Sequence, residues 1–166
     1  METVGIFYGS TSGSTKSVAE KIKKAFGKNA DLHDIKEATP EMIAKYTNLV
    51  FGTSAWGIGD MQDDWEDFID SLSEVDFTEK KVALFGLGDQ AEYPESFVDG
   101  LGTMYCRLPD KSVVTGFWPT KGYKYYFSLA ERDDKFVGLA IDDHQQPELT
   151  DDRVKTWVEQ VKKEFI

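Results

Sequence analysis

Cysteine, proline, histidine and positive charge are all scarce in this chain. One cysteine, Cys106, stands among 166 residues, which rules out an intramolecular disulfide and any multi-cysteine metal or iron–sulfur centre. No apolar run approaches the ~20 residues that a membrane-spanning helix needs, and no secretory leader is read at the start. Taken with the lone thiol, these absences predict a protein of the reducing cytoplasm. The 19 Lys and Arg are outnumbered by 30 Asp and Glu, for a formal net charge of −11. Such a surface lacks the cationic field that nucleic-acid phosphates demand and favours basic protein partners. Repeats, low-complexity tracts and linker-like stretches are missing too, so residues 1–166 are expected to form one domain with a real core. There is no G-x-S-x-G elbow. Asp142-Asp143-His144 has no second cluster at ligand spacing, which argues against a metal centre, and His33 reads as a surface residue at a strand end.

What is present alternates between short apolar runs and helical patterns. Strands are predicted at Thr3–Tyr8, Ala30–Ile35, Asn48–Thr53 and Lys81–Leu87. Val113–Phe117 and Phe136–Ile141 are either two further strands or one strand split by an insertion. Helical periodicity covers Ser14–Phe26, Gln62–Leu72, Pro94–Leu108 and Thr150–Phe165, with Thr39-Pro40 opening a shorter helix and Thr150 expected to cap the last. Strands that are apolar throughout, each followed by a helix, imply a parallel sheet covered on both faces. Ligands of such sheets lie beyond the carboxyl ends of the strands. Three loops fall at that edge: Gly9–Thr15, Ser54–Asp60 and Gly88–Tyr93.

The first loop, GSTSGST, carries five hydroxyls and no charge between a buried strand and a helix. Capping the helix needs one hydroxyl; the surplus points to a phosphate held by Ser10, Thr11, Ser12, Gly13, Ser14 and Thr15 at a helix N-terminus. A nucleotide-triphosphate loop would need four residues between its glycines and then a lysine, whereas Gly9 and Gly13 enclose three and Ser14 follows. The dinucleotide glycine spacing is absent, and so are the adjacent acids of a phosphoacceptor receiver. In the other two loops, Trp56 and Tyr93 sit among small or polar neighbours rather than on an apolar stripe, which favours recognition over packing. Trp65, Trp157 and Trp118 read as core.

IFYGSTSGSTKSVAEKI, SAWGIGDMQDDWEDF, GLGDQAEYPESF, KFVGLAIDD and LTDDRVKTWVEQVK together span nearly the whole chain and resemble the flavodoxin family. The interruption between Val113 and Phe136 resembles the extra loop of its long-chain members, here about residues 118–135. The resemblance implies an α/β three-layer sandwich, with a five-stranded parallel sheet of order 2-1-3-4-5 and the insertion in its last strand. It implies non-covalently bound FMN, with Trp56 and Tyr93 on the two faces of the ring. It also implies that the Gly57–Ile58 peptide flips to accept a hydrogen bond from the protonated flavin N5, a flip that glycine eases. Gly88, Asp89 and Gln90 would address the pyrimidine edge, and Ser54, Ala55, Gly59 and Phe97 complete the expected cofactor contacts. Ser10 stands where threonine is more frequent and Ser14 where many long-chain relatives have lysine, with Lys16 as a distant compensator.

The implied function is a low-potential one-electron carrier, not an enzyme. Asp60, Asp63, Asp64 and Asp67 crowd the second loop and would meet a basic-faced partner, such as a ferredoxin- or flavodoxin-NADP reductase. A carboxylate ~8 Å from an anionic reduced flavin disfavours the added electron by ~2 kcal/mol at an effective dielectric of ~20. The alternative is an FMN-dependent quinone or nitro reductase on the same fold, which would need one open flavin face. The rings Tyr123, Tyr125, Tyr126 and Phe127 of the insertion are expected to pack on the sheet edge, with a partner-docking surface as the alternative.

Overall fold

The computed structural model describes residues 1–55 and 60–166. Strand β1 (Val4–Tyr8) is buried along its whole length because its side chains serve two cores. Phe7 points into one, and Ile6 and Tyr8 into the other. Parallel pairing runs through β2 (Ala30–Asp34), β1, β3 (Asn48–Ser54), β4 (Lys81–Leu87) and β5 (Val114–Thr115), in that spatial order. The fifth position is shared. Thr115 lies beside Ala83, and β9 (Leu139–Ile141) takes up the pairing further along β4, with Leu139 beside Phe85. A single sheet position is therefore filled by two stretches of chain, the split arrangement that is one of the two the sequence allows and the one the resemblance implies. The detour between them carries its own antiparallel sheet of β6 (Trp118–Pro119), β7 (Glu131–Arg132) and β8 (Lys135–Phe136), in the order β6-β8-β7.

Helices α1 (Ser14–Phe26) and α5 (Thr150–Glu164) cover one face, burying Val18, Ile22, Trp157 and Val161 against Ile6, Val50 and Phe85. The opposite face holds Trp65, Ile69, Leu101 and Met104 against Phe7, Phe51 and Leu84. It is covered by α2 (Pro40–Ala44), α3 (Asp63–Phe68) and α4 (Asp99–Arg107). Trp65 and Trp157 are both fully buried, each removing an aromatic surface worth roughly 2–3 kcal/mol or more from water. Each also satisfies its indole N–H on a glycine carbonyl, Trp65 on Gly52 and Trp157 on Gly116, both at 2.8 Å.

Four local expectations are corrected. Helix α4 starts at Asp99 rather than Pro94, because the insertion takes the backbone groups a helix would use. Pro94 O accepts the N–H groups of Tyr126 and Phe127, Phe97 N–H goes to Phe127 O, and Phe97 O accepts from Ser128 Oγ. The helix expected over Gln62–Leu72 is α-helical only from Asp63 to Phe68, then tightens into a 3-10 turn at Ile69–Glu74. Thr150 does not cap α5: it is the first helical residue, and its hydroxyl donates to Asp143. His33 is no loose surface residue; it stacks on Phe7 at 4.8 Å and its Nε2 bonds Tyr46 Oη at 2.8 Å. Thr39 does cap α2, accepting from Met42 N–H at 3.3 Å with Pro40 in the first turn.

Candidate cofactor site

The first loop follows β1 and ends where α1 begins. Gly13 adopts φ 94°, a left-handed conformation that glycine reaches without steric cost, and this turns the chain into the helix. Its N–H donates to Ser10 Oγ at 3.0 Å, and its carbonyl accepts the first intrahelical bond from Ser17. No side chain caps α1 and no acid stands in its first turn. Among the described residues, the N–H groups of Ser14, Thr15 and Lys16 therefore meet no acceptor. The hydroxyls of Thr11 and Ser12 are exposed, Ser10 and Ser14 are half-buried, and Thr15 is tucked under the turn. Unspent backbone donors, a positive helix end and surplus hydroxyls in one turn match the needs of a phosphate dianion.

Gln62 organises this region, and the sequence reading missed it. Its Oε1 accepts from the N–H groups of Asp64 and Trp65, capping α3, while Nε2 donates to Thr11 Oγ1 at 3.2 Å and Asp64 Oδ2 at 2.8 Å. One buried amide thus ties the first loop to the helix after the second. Gly9 is what allows this approach, since a Cβ there would lie 2.1 Å from Gln62 Oε1 and 2.7 Å from the Trp65 ring. Only the position, one residue before DDWE, hinted at a cap; glutamine is not among the favoured capping residues.

Of the second loop, Trp56, Gly57, Ile58 and Gly59 lie outside the described residues. Ser54 ends β3 with its Oγ buried and without a hydrogen-bond partner among the described residues, and Ala55 N–H is held by Leu87 O at 3.1 Å. The acidic flank divides. Asp60, Asp63 and Asp67 are exposed, whereas Asp64 is half-buried and takes the Gln62 amide. Neighbouring Glu66 and Asp70 are spent on Arg107, at 2.7 and 3.0 Å.

The third loop leaves β4 at Gly88, whose N–H donates to Ile141 O at 3.0 Å. Asp89 and Gln90 are buried. Asp89 Oδ1 accepts from the N–H groups of Ala91 and Glu92 and from Gln145 Nε2. Burial alone would raise this carboxyl, but the bonds from Glu92, Gln145 and Ala91 outweigh it and hold it below its ordinary value. Tyr93 is half-buried, its N–H fixed on Asp89 O at 2.9 Å. Phe97 is a correction as a ligand contact. Its side chain is fully buried in a ring cluster with Tyr123, Tyr125 and Phe136, because the Pro94–Val98 segment is drawn inward under the insertion.

The insertion splits likewise. Tyr123 and Tyr125 pack as expected, but Tyr126 and Phe127 are exposed. With both their N–H groups directed at Pro94 O, this segment runs over the third loop instead of burying its rings. A groove of about 560 Å³ between α1 and α5, lined by Lys21, Lys24, Val154 and Lys162 among others, stands apart from all three loops.

Residues 6–157 match the family model described as Flavodoxin. The chain belongs to the flavodoxin family. It is 47% identical over 169 residues to flavodoxin 1 of Escherichia coli strain K12, covering 99% of this chain and 96% of that protein. Against a flavodoxin of Synechocystis sp. it is 44% identical over 165 residues, covering 98% and 97%. The crystal structure of Fusobacterium nucleatum flavodoxin bound to flavin mononucleotide superposes with a TM-score of 0.93 at 33% identity, over 100% of both chains.

Proposed function

We propose that this chain carries single electrons on non-covalently bound FMN, with residues 1–166 acting as one flavin-binding domain. The observation that carries the reading is the N-terminus of α1, which spends none of its free N–H groups on a side-chain cap or an acid of its own. In a member of the flavodoxin family, that unspent set is the seat of the FMN phosphate. Ser10, Thr11, Ser12, Gly13, Ser14 and Thr15 hold it without a counter-charge. When bound, the flavin supplies the one-electron chemistry. The protein binds, orients and shields it.

The ring lies between the second and third loops, with Trp56 and Tyr93 as its two platforms. We assign the Gly57–Ile58 peptide and Gly59 to its N5 edge, and Gly88, Asp89 and Gln90 to its pyrimidine edge. Ser54 and Ala55 close the floor, where the Ser54 hydroxyl, without a partner among the described residues, is available to the ligand. As a flavodoxin the chain works with redox partner proteins. We assign them basic faces, of the ferredoxin- or flavodoxin-NADP reductase kind, docking on Asp60, Asp63 and Asp67, with Asp64 contributing field more than contact. No helix among the described residues is long and apolar enough to cross a membrane, and we assign its place of work to the cytoplasm from its likeness to bacterial flavodoxins.

Titration of the purified apoprotein tests this. FMN fluorescence is expected to be quenched at one equivalent, and riboflavin, lacking the phosphate, to bind much more weakly. Equal affinity for the two would remove the phosphate assignment. No quinone- or nitro-dependent oxidation of NADPH is expected from the protein alone.

A further inference from the structure

Asp142 follows β9 and is fully buried, yet none of the ion pairs among the described residues includes it. In place of a counter-ion, its carboxylate collects N–H groups. Oδ2 accepts from Gln90 N at 2.9 Å and Gln90 Nε2 at 2.8 Å, while Oδ1 accepts from His144 N at 3.0 Å and Gln145 N at 2.9 Å. Both ends of the side chain must therefore be acceptors. An asparagine would turn an NH2 group against two N–H donors whichever way it lay.

The residues it holds pass the link onward. Gln90 Oε1 accepts Lys124 N–H at 2.6 Å, which pins the insertion. Gln145 Nε2 reaches Asp89 Oδ1 at 3.1 Å, the same oxygen that fixes Ala91 and Glu92 ahead of Tyr93. The third loop, the turn after β9 and the insertion thus converge on one carboxylate.

We propose that Asp142 is a positioning residue for the flavin ring. It acts through Gln90 and Asp89 to fix the backbone that presents Gly88–Tyr93, and it leaves the phosphate loop untouched. This rests on the flavin reading above. A purely structural knot would lower stability and weaken every ligand alike. A positioning knot affects the ring and spares the phosphate.

The test compares wild-type, Asp142→Asn and Gln90→Met apoproteins. Dissociation constants for FMN and riboflavin are measured by fluorescence, and inorganic phosphate is followed by amide shifts of Ser10–Thr15. Asp142→Asn is expected to weaken FMN and riboflavin by the same factor, about tenfold, for one end of a buried charged acceptor lost. Phosphate affinity stays at the wild-type value. Gln90→Met keeps its backbone N–H on Asp142 but loses the amide links, and is expected to shift both flavins in the same direction by less. The proposal is overturned if riboflavin affinity stays within about twofold of wild type in the folded variants, or if phosphate weakens in step with the flavins. Should Asp142→Asn not fold, Gln145→Met decides. It keeps its backbone N–H on Asp142, loses the link to Asp89 and lies outside the assigned flavin contacts. It is expected to weaken both flavins and spare phosphate, and an unchanged riboflavin affinity overturns the proposal. A wild-type apoprotein that takes up neither flavin would instead overturn the flavin reading itself.

Discussion

The first and third loops sit at the same edge of the sheet and have opposite economies of hydrogen bonds. The first keeps its donors in reserve: α1 is uncapped, its first turn holds no acid, and Thr11 and Ser12 are exposed. In the third, Asp89 and Gln90 are buried and committed to partners within the protein. Reserve suits a charged group that must be recognised from solution. Commitment suits a wall against which a flat ring can lie, because a wall must hold its shape whether or not the ring is there.

Giving the first loop an acid of its own should break that difference most severely. In Ser14→Asp a carboxylate ~6 Å from a phosphate dianion costs about 3 kcal/mol at an effective dielectric of ~40, so FMN should bind roughly 100-fold more weakly. The same acid complements the α1 dipole, so the apoprotein should melt at a higher temperature, by ~0.3–1 kcal/mol of added stability. A variant losing both affinity and stability would show that the loop is damaged rather than filled.

Asp89→Ala attacks the committed loop. Three donors lose their acceptor, and apoprotein stability should fall by ~1–3 kcal/mol, read by denaturant unfolding. Acid should reach the same bonds. Because the folded Asp89 carboxyl lies below its ordinary 3.8, its contribution is present above that value and fades as pH falls through the folded pKa. Asp99 runs the other way. Burial raises its carboxyl despite the Leu129 N–H bond, so its stabilisation is full below 3.8 and is lost as pH rises through the folded value. Carboxyl NMR titration should show the two moving apart; a common midpoint would contradict the geometry. The smallest effect is expected outside both loops. Asp63→Asn with Asp67→Asn should slow reduction by a basic reductase several-fold at low salt and little at high salt, with a stability loss of ~0.3–1 kcal/mol from the acid in the first turn of α3.

The sheet was legible in the sequence because its strands are apolar throughout and its helices carry strong stripes, and these local signals agree with the global arrangement. The two short apolar runs allowed either two strands or one split strand, and the resemblance to long-chain flavodoxins implied the split. The first loop stood out because five hydroxyls exceed what capping needs, and among the described residues no side chain caps α1. What sequence could not disclose depends on groups far apart in the chain. Gln62 bonds Thr11 across 51 positions and Gln90 bonds Asp142 across 52, and neither pairing leaves a local pattern. Phe97 misled for the same reason: the insertion that draws it inward lies about thirty residues downstream, and nothing local announces Tyr123, Tyr125 and Phe136 around it.

The split strand has a practical corollary for rewiring the chain. The detour leaves the sheet beside Ala83 and re-enters beside Phe85, so each half pairs with β4 without needing its covalent link to the other. At the far side of the detour, Asp133 and Asp134 turn the chain with φ of 52° and 63°, a conformation non-glycine residues rarely adopt. Residues 2 and 166 are meanwhile hydrogen bonded, Glu2 N–H to Ile166 O at 2.8 Å. A circular permutant joined across those ends by a short linker and opened between Asp133 and Asp134 would keep every strand register and relax two strained residues. Its new termini would emerge within the insertion, between β7 and β8.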